Sequence, residues 1–208
     1  MKREFSDKQR GVAGRKRKPV MFISLEGNNK TEKFYLNSLN KDQGVKFSLQ
    51  FTPGHETDPK RMWTALHDSM KEVFSASDGD KAYCVCDRDY EAHKLERIRE
   101  IKREASCDHA KIIVSNPCFE LWFLNHFRYS TRAYGSTQDL ISDLCDYIPC
   151  YKKNADYYQL HLKSRTTDAL NHSKRQSEQV NIDQQSDDIV INNPGTEVAE
   201  IVQTLITG

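Results

Sequence analysis

Strand-like and helix-like segments alternate along residues 20–128, and this alternation most constrains the fold. Short apolar runs bounded by turn residues predict strands at 20–25, 45–52, 81–86 and 111–114. The segments between them repeat apolar residues at helical spacing. Because strand–helix–strand units place successive strands parallel, the pattern predicts an α/β fold with a mainly parallel four-stranded sheet and flanking helices.

The two ends of the chain differ from this core. Residues 129–208 carry no further strand pattern and predict a helical extension packed on the core. Residues 1–19 are polar and include the basic cluster 15–18, which predicts a flexible basic arm. Such an arm is either simply solvated or contacts phosphates once a partner is bound.

Composition narrows the class of protein. At 208 residues with 37% hydrophobic residues the chain suits one core. A net charge of +1 does not suggest a generally basic nucleic-acid binder, but it leaves room for a local basic groove. No apolar run approaches the length of a membrane span, and the charged N-terminus lacks an apolar signal core. We therefore expect a cytoplasmic protein with no membrane contact. The six cysteines form no Cys-x-x-Cys pair, which favours reduced thiols over a zinc site.

Acidic residues follow two of the predicted strands. Glu26 comes after the first, and Asp87 and Asp89 follow the third in the string CVCDRDY. Ligands of open parallel sheets bind at the carboxyl ends of strands, where three neighbouring carboxylates repel one another unless a cation lies between them. Mg²⁺ or Mn²⁺ suits such oxygen ligands. Ordinary loop polarity remains the alternative, since Asp-x-Asp alone is a weak signal.

Side chains of an extended chain alternate between its two sides, which predicts where the residues of the Asp-Arg-Asp string point. Asp87 and Asp89 point to one side of an extended chain, and Arg88 points to the other. Arg88 is then expected to pair with a neighbouring acid rather than with substrate.

Further candidates lie near helix starts. Lys30 precedes a predicted helix and is a candidate phosphate contact, whereas Thr31 is a candidate helix cap. Asn116 is a candidate for orienting a phosphate or a water, and Glu120, one helical turn later, for a fourth carboxylate beside the metal. His126 is a possible proton donor, with a packed histidine as the alternative.

Four strings carry a resemblance to a known family. FISLEGNNKTEKFY (22–35), VCDRDY (85–90), SNPCFELWFLNHF (115–127) and NPGTEVAEIVQTL (193–205) resemble the RloB family of Toprim-like proteins. The resemblance implies a Toprim catalytic core in which Glu26, Asp87 and Asp89 hold Mg²⁺. The family also tends to have a lysine near Lys153, which would neutralise charge at the reacting phosphate; a solvated basic pair, Lys152 and Lys153, is the alternative.

The resemblance also implies a function. RloB-like proteins are encoded with restriction or abortive-infection loci, often beside an ATPase, and the family is associated with anti-phage nucleases. We therefore expect a Mg²⁺- or Mn²⁺-dependent nuclease that cleaves RNA, such as tRNA, or DNA. Water is the expected nucleophile, with Tyr90 as a disfavoured covalent alternative. The second hypothesis is a non-enzymatic or partner-activated nucleic-acid-binding effector that works with an AAA- or ABC-type ATPase.

Overall fold

A computed structural model of the chain describes residues 17–28, 30–89, 92–105, 109–184 and 192–208. The predicted covalent candidate Tyr90 and most of the basic arm, residues 1–16, lie outside these ranges. At the described end of the arm, Arg17 binds Asp80 at 2.6 Å and the carbonyl oxygen of Pro19 accepts a hydrogen bond from the backbone N–H of Ser48 at 2.9 Å. This short stretch therefore lies against the sheet.

The described residues form a five-stranded sheet in the order β2-β1-β3-β4-β5. The first four strands run parallel and the fifth is antiparallel to β4. The strands are β1 (Val20–Leu25), β2 (Ser48–Phe51), β3 (Lys81–Asp87), β4 (Ala110–Asn116) and β5 (Gly195–Thr196). The mainly parallel α/β sheet is confirmed, whereas the prediction of four strands is wrong. β5 has only two residues and forms by pairing with Ser115 and Asn116, so it leaves no periodic signal in the sequence.

Helices cover both faces of the sheet and make up most of the extension. The α-helices of the described residues are α1 (Thr31–Asp42), α2 (Pro59–Met70), α3 (Ala92–Ala105), α4 (Glu120–Asn125), α5 (Thr137–Cys145), α6 (Thr166–Gln184) and α7 (Val198–Thr207). Single turns of other helix types are Ala76–Asp78, Tyr158–Leu162 and Lys163–Arg165. α4 has only six residues, and Pro117 lies before its first turn.

Alternation along the strands separates two apolar layers. On β3, Cys84 and Cys86 face the layer formed with α2 and α3, while Tyr83 and Val85 face the layer formed with α1, α4 and α7. The two cysteines therefore share one face of the strand, and both thiols are buried and free. Burial raises the pKa of the Cys84 thiol to about 12, so that cysteine packs as an apolar residue.

The helical extension shares its core with the sheet. Ile23 of β1 and Leu36 of α1 belong to the same buried cluster as Leu140, Leu162 and Val198 of the extension. The extension is therefore an integral layer of the fold. Among the described helices, none has both the length and the apolar character that a membrane span requires.

Candidate active site

The strand order brings the first two predicted ligands together. β1 and β3 are adjacent, with Leu25 paired to Val85, so Glu26 and Asp87 leave the same edge of the sheet side by side. The Oε2 atom of Glu26 accepts a hydrogen bond from the backbone N–H of Asp87 at 3.0 Å. This bond fixes one oxygen of Glu26 and leaves Oε1 for another partner.

The turn after β3 sends its two aspartates to different partners. Asp89 has a φ of 46°, in the left-handed region that Asp tolerates better than most residues, so the chain is not extended there. Asp87 Oδ1 accepts from the backbone N–H of Phe119 at 2.8 Å, whereas Asp89 Oδ2 lies 2.6 Å from Lys94 Nζ. Arg88 donates to the carbonyl oxygen of Asp89. The prediction that Asp87 and Asp89 point to one side of an extended chain is wrong because the chain turns at Asp89. The pairing of Arg88 with a neighbouring acid stays a prediction.

Lys94 is a site residue that sequence reasoning missed. It lies in the first turn of α3, is only 4% exposed, and places Nζ 2.7 Å from Glu26 Oε1 as well as 2.6 Å from Asp89 Oδ2. The sequence of α3 is that of a charged helix, and nothing in its composition distinguishes Lys94 from the other charged residues. The position of Lys94 could have been inferred from its closeness in sequence to Asp89. The first turn of a helix that follows a strand lies near the end of that strand, so a lysine there can reach the acids that follow the strand.

Glu32 is a second missed residue. It lies in the first turn of α1 and is only 3% exposed. Burial raises the pKa of Glu32 to about 7, and the negative charge of Glu120 contributes to the increase. Glu32 shares a buried helix face with Tyr35, Leu36 and Leu39. A carboxylate on an otherwise apolar helix face is the sequence feature that could have indicated its burial.

Glu120 and Lys153 are brought together as predicted candidates. Glu120 is fully buried, and its Oε1 atom accepts from the Tyr151 hydroxyl at 3.0 Å and lies 3.5 Å from Lys153 Nζ. Its Oε2 atom is buried and has no hydrogen-bond partner among the described residues. Burial lowers the pKa of the Lys153 ammonium, but the negative charges of Glu120, Asp87 and Glu32 together help to outweigh burial, and the pKa is raised.

Replacing Tyr151 by Phe is expected to destabilise the protein by about 1–3 kcal/mol, because Glu120 loses a hydrogen bond inside the core. Urea denaturation at pH 7 measures the change. The matched control is Tyr157→Phe, whose hydroxyl bonds the backbone N–H and carbonyl oxygen of the exposed Lys152. Equal stability losses in the two variants would contradict the expectation.

The loop that carries Lys153 is fastened to the start of α1. The backbone N–H of Asn154 donates to Thr31 Oγ1 at 2.9 Å, and the backbone N–H of Lys30 donates to Asn154 Oδ1 at 2.6 Å. Thr31 is therefore the first residue of α1 and a partner of the loop, and Lys30 occupies the N-cap position, so the predicted cap at Thr31 is wrong. The Lys153 loop and the start of α1 form one unit.

Lys30 is exposed beside a pocket of about 220 Å³ at the same edge of the sheet. Lys33, Phe51 and His55 also line this pocket. The predicted phosphate contact of Lys30 stays a prediction, and its position at the edge is compatible with it. Asn116 is the last residue of β4 and is 6% exposed, and its contact with substrate also stays a prediction.

His126 is a packed histidine. It is fully buried, with Nδ1 2.9 Å from the carbonyl oxygen of Trp122 and Nε2 3.4 Å from the Tyr35 hydroxyl. Burial lowers its pKa to about 4, so the ring is neutral at pH 7. The interpretation of His126 as a core residue is thus favoured over a proton donor.

Five acidic side chains gather at this edge, and we call them the carboxylate cluster. Burial raises the pKa of Asp87 well above its usual range, and the charges of the other four members add to the increase. The members are Glu26, Glu32, Asp87, Asp89 and Glu120. Within the cluster the described structure places two lysines, Lys94 and Lys153, so the acids outnumber the positive charges.

The donor set of the carboxylate cluster suits a hard divalent cation. Carboxylate oxygens are the ligands that Mg²⁺ takes. A cation would relieve the mutual repulsion that raises the pKa of Asp87, and it would give the buried Oε2 of Glu120 a partner. In the part of the chain that the structure describes, no three His, Cys, Asp or Glu side chains are already grouped as a metal site. Lys94 lies between Glu26 and Asp89 instead.

A family model described as RloB-like protein matches residues 21–205. The chain belongs to the RloB-like family. The matched region of this RloB-like protein contains the whole carboxylate cluster and both of its lysines. Comparisons with curated proteins and with solved structures find no match.

Proposed function

We propose that this RloB-like protein is a Mg²⁺- or Mn²⁺-dependent nuclease with a Toprim-like fold, which cleaves phosphodiester bonds of RNA, such as tRNA, or of DNA. The observation that carries the proposal is the carboxylate cluster with two lysines at the carboxyl edge of a parallel sheet. Edges of this kind are where open α/β sheets bind their ligands. The mainly parallel order of β1, β3 and β4 is compatible with a Toprim-like core.

Glu26, Asp87 and Asp89 are the proposed metal ligands. A divalent cation held by them would neutralise charge on a phosphate and would lower the pKa of a water molecule, which is the proposed nucleophile. The backbone supports this arrangement, because the N–H groups of Asp87 and Phe119 hold Glu26 and Asp87 in fixed positions. Fixed ligands cost little reorganisation when the reaction begins.

The remaining members of the site act on the substrate. Lys153, 3.5 Å from Glu120, is the proposed contact to the non-bridging oxygens of the phosphate, and Glu120 keeps that ammonium charged and in place. Lys30 is the proposed contact to a neighbouring phosphate, and Asn116 is a proposed hydrogen-bond partner of substrate. We propose a role in anti-phage defence or abortive infection, as the resemblance implies, and a cytoplasmic location, as the sequence composition predicts.

The second candidate is a partner-activated nucleic-acid-binding effector that works with an ATPase. The contact of Lys94 with both Glu26 and Asp89 favours it. While the ammonium is bound to these two proposed ligands, they are not free to bind a metal ion. A partner that moves α3 would then complete the site.

A cleavage panel tests the proposal. Plasmid DNA, single-stranded DNA, total RNA and tRNA are incubated with the protein and Mg²⁺, Mn²⁺ or EDTA, and the Asp87→Ala/Asp89→Ala variant is run alongside. We expect metal-dependent cleavage of at least one substrate, and its loss in the variant and in EDTA. Silence of the folded wild type in every arm would favour the partner-activated effector. Cleavage retained by the variant would contradict the assigned ligands.

A further inference from the structure

Lys94 contacts two of the three proposed metal ligands at once. Its Nζ atom lies 2.7 Å from Glu26 Oε1 and 2.6 Å from Asp89 Oδ2, and the residue is only 4% exposed. The other oxygen of Glu26 is already bonded to the backbone N–H of Asp87. A cation that binds Glu26 through its remaining oxygen therefore meets the ammonium of Lys94.

Burial of a lysine to this degree is costly unless its charge is compensated. The side chain loses rotamer freedom and the ammonium loses its water shell. Burial lowers the pKa of Lys94, but the charges of Glu26 and Asp89 outweigh it, so the pKa is raised above its ordinary value. The two carboxylates balance the positive charge of the buried ammonium, and the ammonium in turn reduces the repulsion between them.

The second lysine of the site has a different place. Lys153 lies 3.5 Å from Glu120 Oε1, and its side chain is 42% exposed. Among the described residues its ammonium forms an ion pair with Glu120 and none with Glu26 or Asp89. The two lysines carry equal charge at one edge of the sheet, but only Lys94 lies between proposed ligands. This difference supplies a matched comparison.

We propose that Lys94 is an internal counter-cation that competes with the divalent cation for Glu26 and Asp89. In the metal-free protein its ammonium screens the two carboxylates from each other, and a metal ion binds them only after the ammonium has left. The inference rests on the proposed function, because it concerns the same metal site. It makes Lys94 a residue that weakens metal affinity while it stabilises the metal-free fold.

The affinity test is calorimetric titration of Mn²⁺ into the wild type, Lys94→Met, Lys94→Arg and Lys153→Met. Met keeps most of the length of lysine without its charge. Competition predicts that Lys94→Met binds Mn²⁺ about tenfold or more tightly than the wild type, because the metal no longer has to displace an ammonium from its ligands. Lys94→Arg is expected to show no gain, and Lys153→Met a much smaller gain than Lys94→Met. Equal or weaker binding by Lys94→Met, or an equal gain in Lys153→Met, would overturn competition.

A second measurement needs no metal. In EDTA, Lys94→Met is expected to lower the melting temperature by roughly 5–10 °C, because it leaves close carboxylates uncompensated. In the Asp89→Asn background the same substitution is expected to cost clearly less, since one of its two partners is then uncharged. Equal losses in both backgrounds would overturn the counter-cation role.

The two readouts separate the inference from the proposed function. If the wild type binds Mn²⁺ and Lys94→Met gains nothing, the competition is wrong and the metal site stands. If none of the four proteins binds Mn²⁺, the proposed metal site and the competition both fail. The coupling measured in EDTA still decides whether Lys94 is the counter-cation of the metal-free protein.

Discussion

Replacing Asp87 by Asn is expected to lower metal-dependent cleavage by a factor of about 10³ or more, because a proposed ligand loses its charge. The same change is expected to raise the melting temperature of the metal-free protein by roughly 3–6 °C. Asn keeps an Oδ1 acceptor for the backbone N–H of Phe119, while the repulsion from the rest of the carboxylate cluster is relieved. Cleavage assays and thermal denaturation in EDTA measure the two effects.

Asp80→Asn is the matched control. Asp80 also accepts backbone hydrogen bonds, from Val20 and Ser75, but it is paired with Arg17 and lies away from the carboxylate cluster. The substitution there is expected to lower the melting temperature and to leave the cleavage rate unchanged. A stabilised Asp80→Asn, or an Asp87→Asn that melts below the wild type in EDTA, would contradict this account of the site.

The second large effect is a pH-dependent gain in stability when Glu32 is replaced by Gln. The pKa of Glu32 is raised from about 4.5 to about 7 in the folded protein, so the folded state holds a proton that the unfolded state has released. Stability from this group is therefore lost as pH rises through that window. In EDTA, Glu32→Gln is expected to become more stable relative to the wild type with rising pH, by up to about 3 kcal/mol near pH 7.5.

The difference between variant and wild type must be measured, because His126 acts in the opposite sense. Its pKa falls from 6.5 to about 4 on folding, so its contribution to stability is lost as pH decreases through that range. The two slopes overlap in the wild type and largely cancel. Urea denaturation of the variant and the wild type between pH 4.5 and 8 gives the contribution of Glu32 to the free energy of unfolding. The control is Glu96→Gln, at an exposed position. A pH-independent difference between Glu32→Gln and wild type would refute the prediction.

Local patterns in the sequence predict the sheet and part of the site. The strands β1, β3 and β4 are apolar runs with clear ends, so the adjacency of Glu26 and Asp87 follows from the ordinary geometry of parallel sheets. Glu120 was predicted beside the metal because it lies one helical turn after Asn116, and the structure does bring it into the carboxylate cluster. These features depend on residues that are close in sequence or on adjacent strands.

The features that the sequence did not predict depend on longer-range contacts or on single dihedral angles. The left-handed conformation of Asp89 redirects its side chain toward Lys94, and no periodic pattern encodes such a turn. The burial of Glu32 depends on what packs against α1, so a surface charge and a core carboxylate look alike in sequence. The fastening of Asn154 to Thr31 joins residues 123 positions apart.

The late position of β5 in the chain has a consequence for synthesis on the ribosome. Ser115 of β4 pairs with Thr196, 81 residues later, and Glu197 also bonds the backbone of Val114. At typical elongation rates, roughly 4–16 s pass between the emergence of these partners. During that interval the nascent chain presents an open strand edge next to Ile113 and Val114, which other nascent chains can pair with. The speed of translation between β4 and β5 therefore sets how long the growing polypeptide is exposed to misassembly.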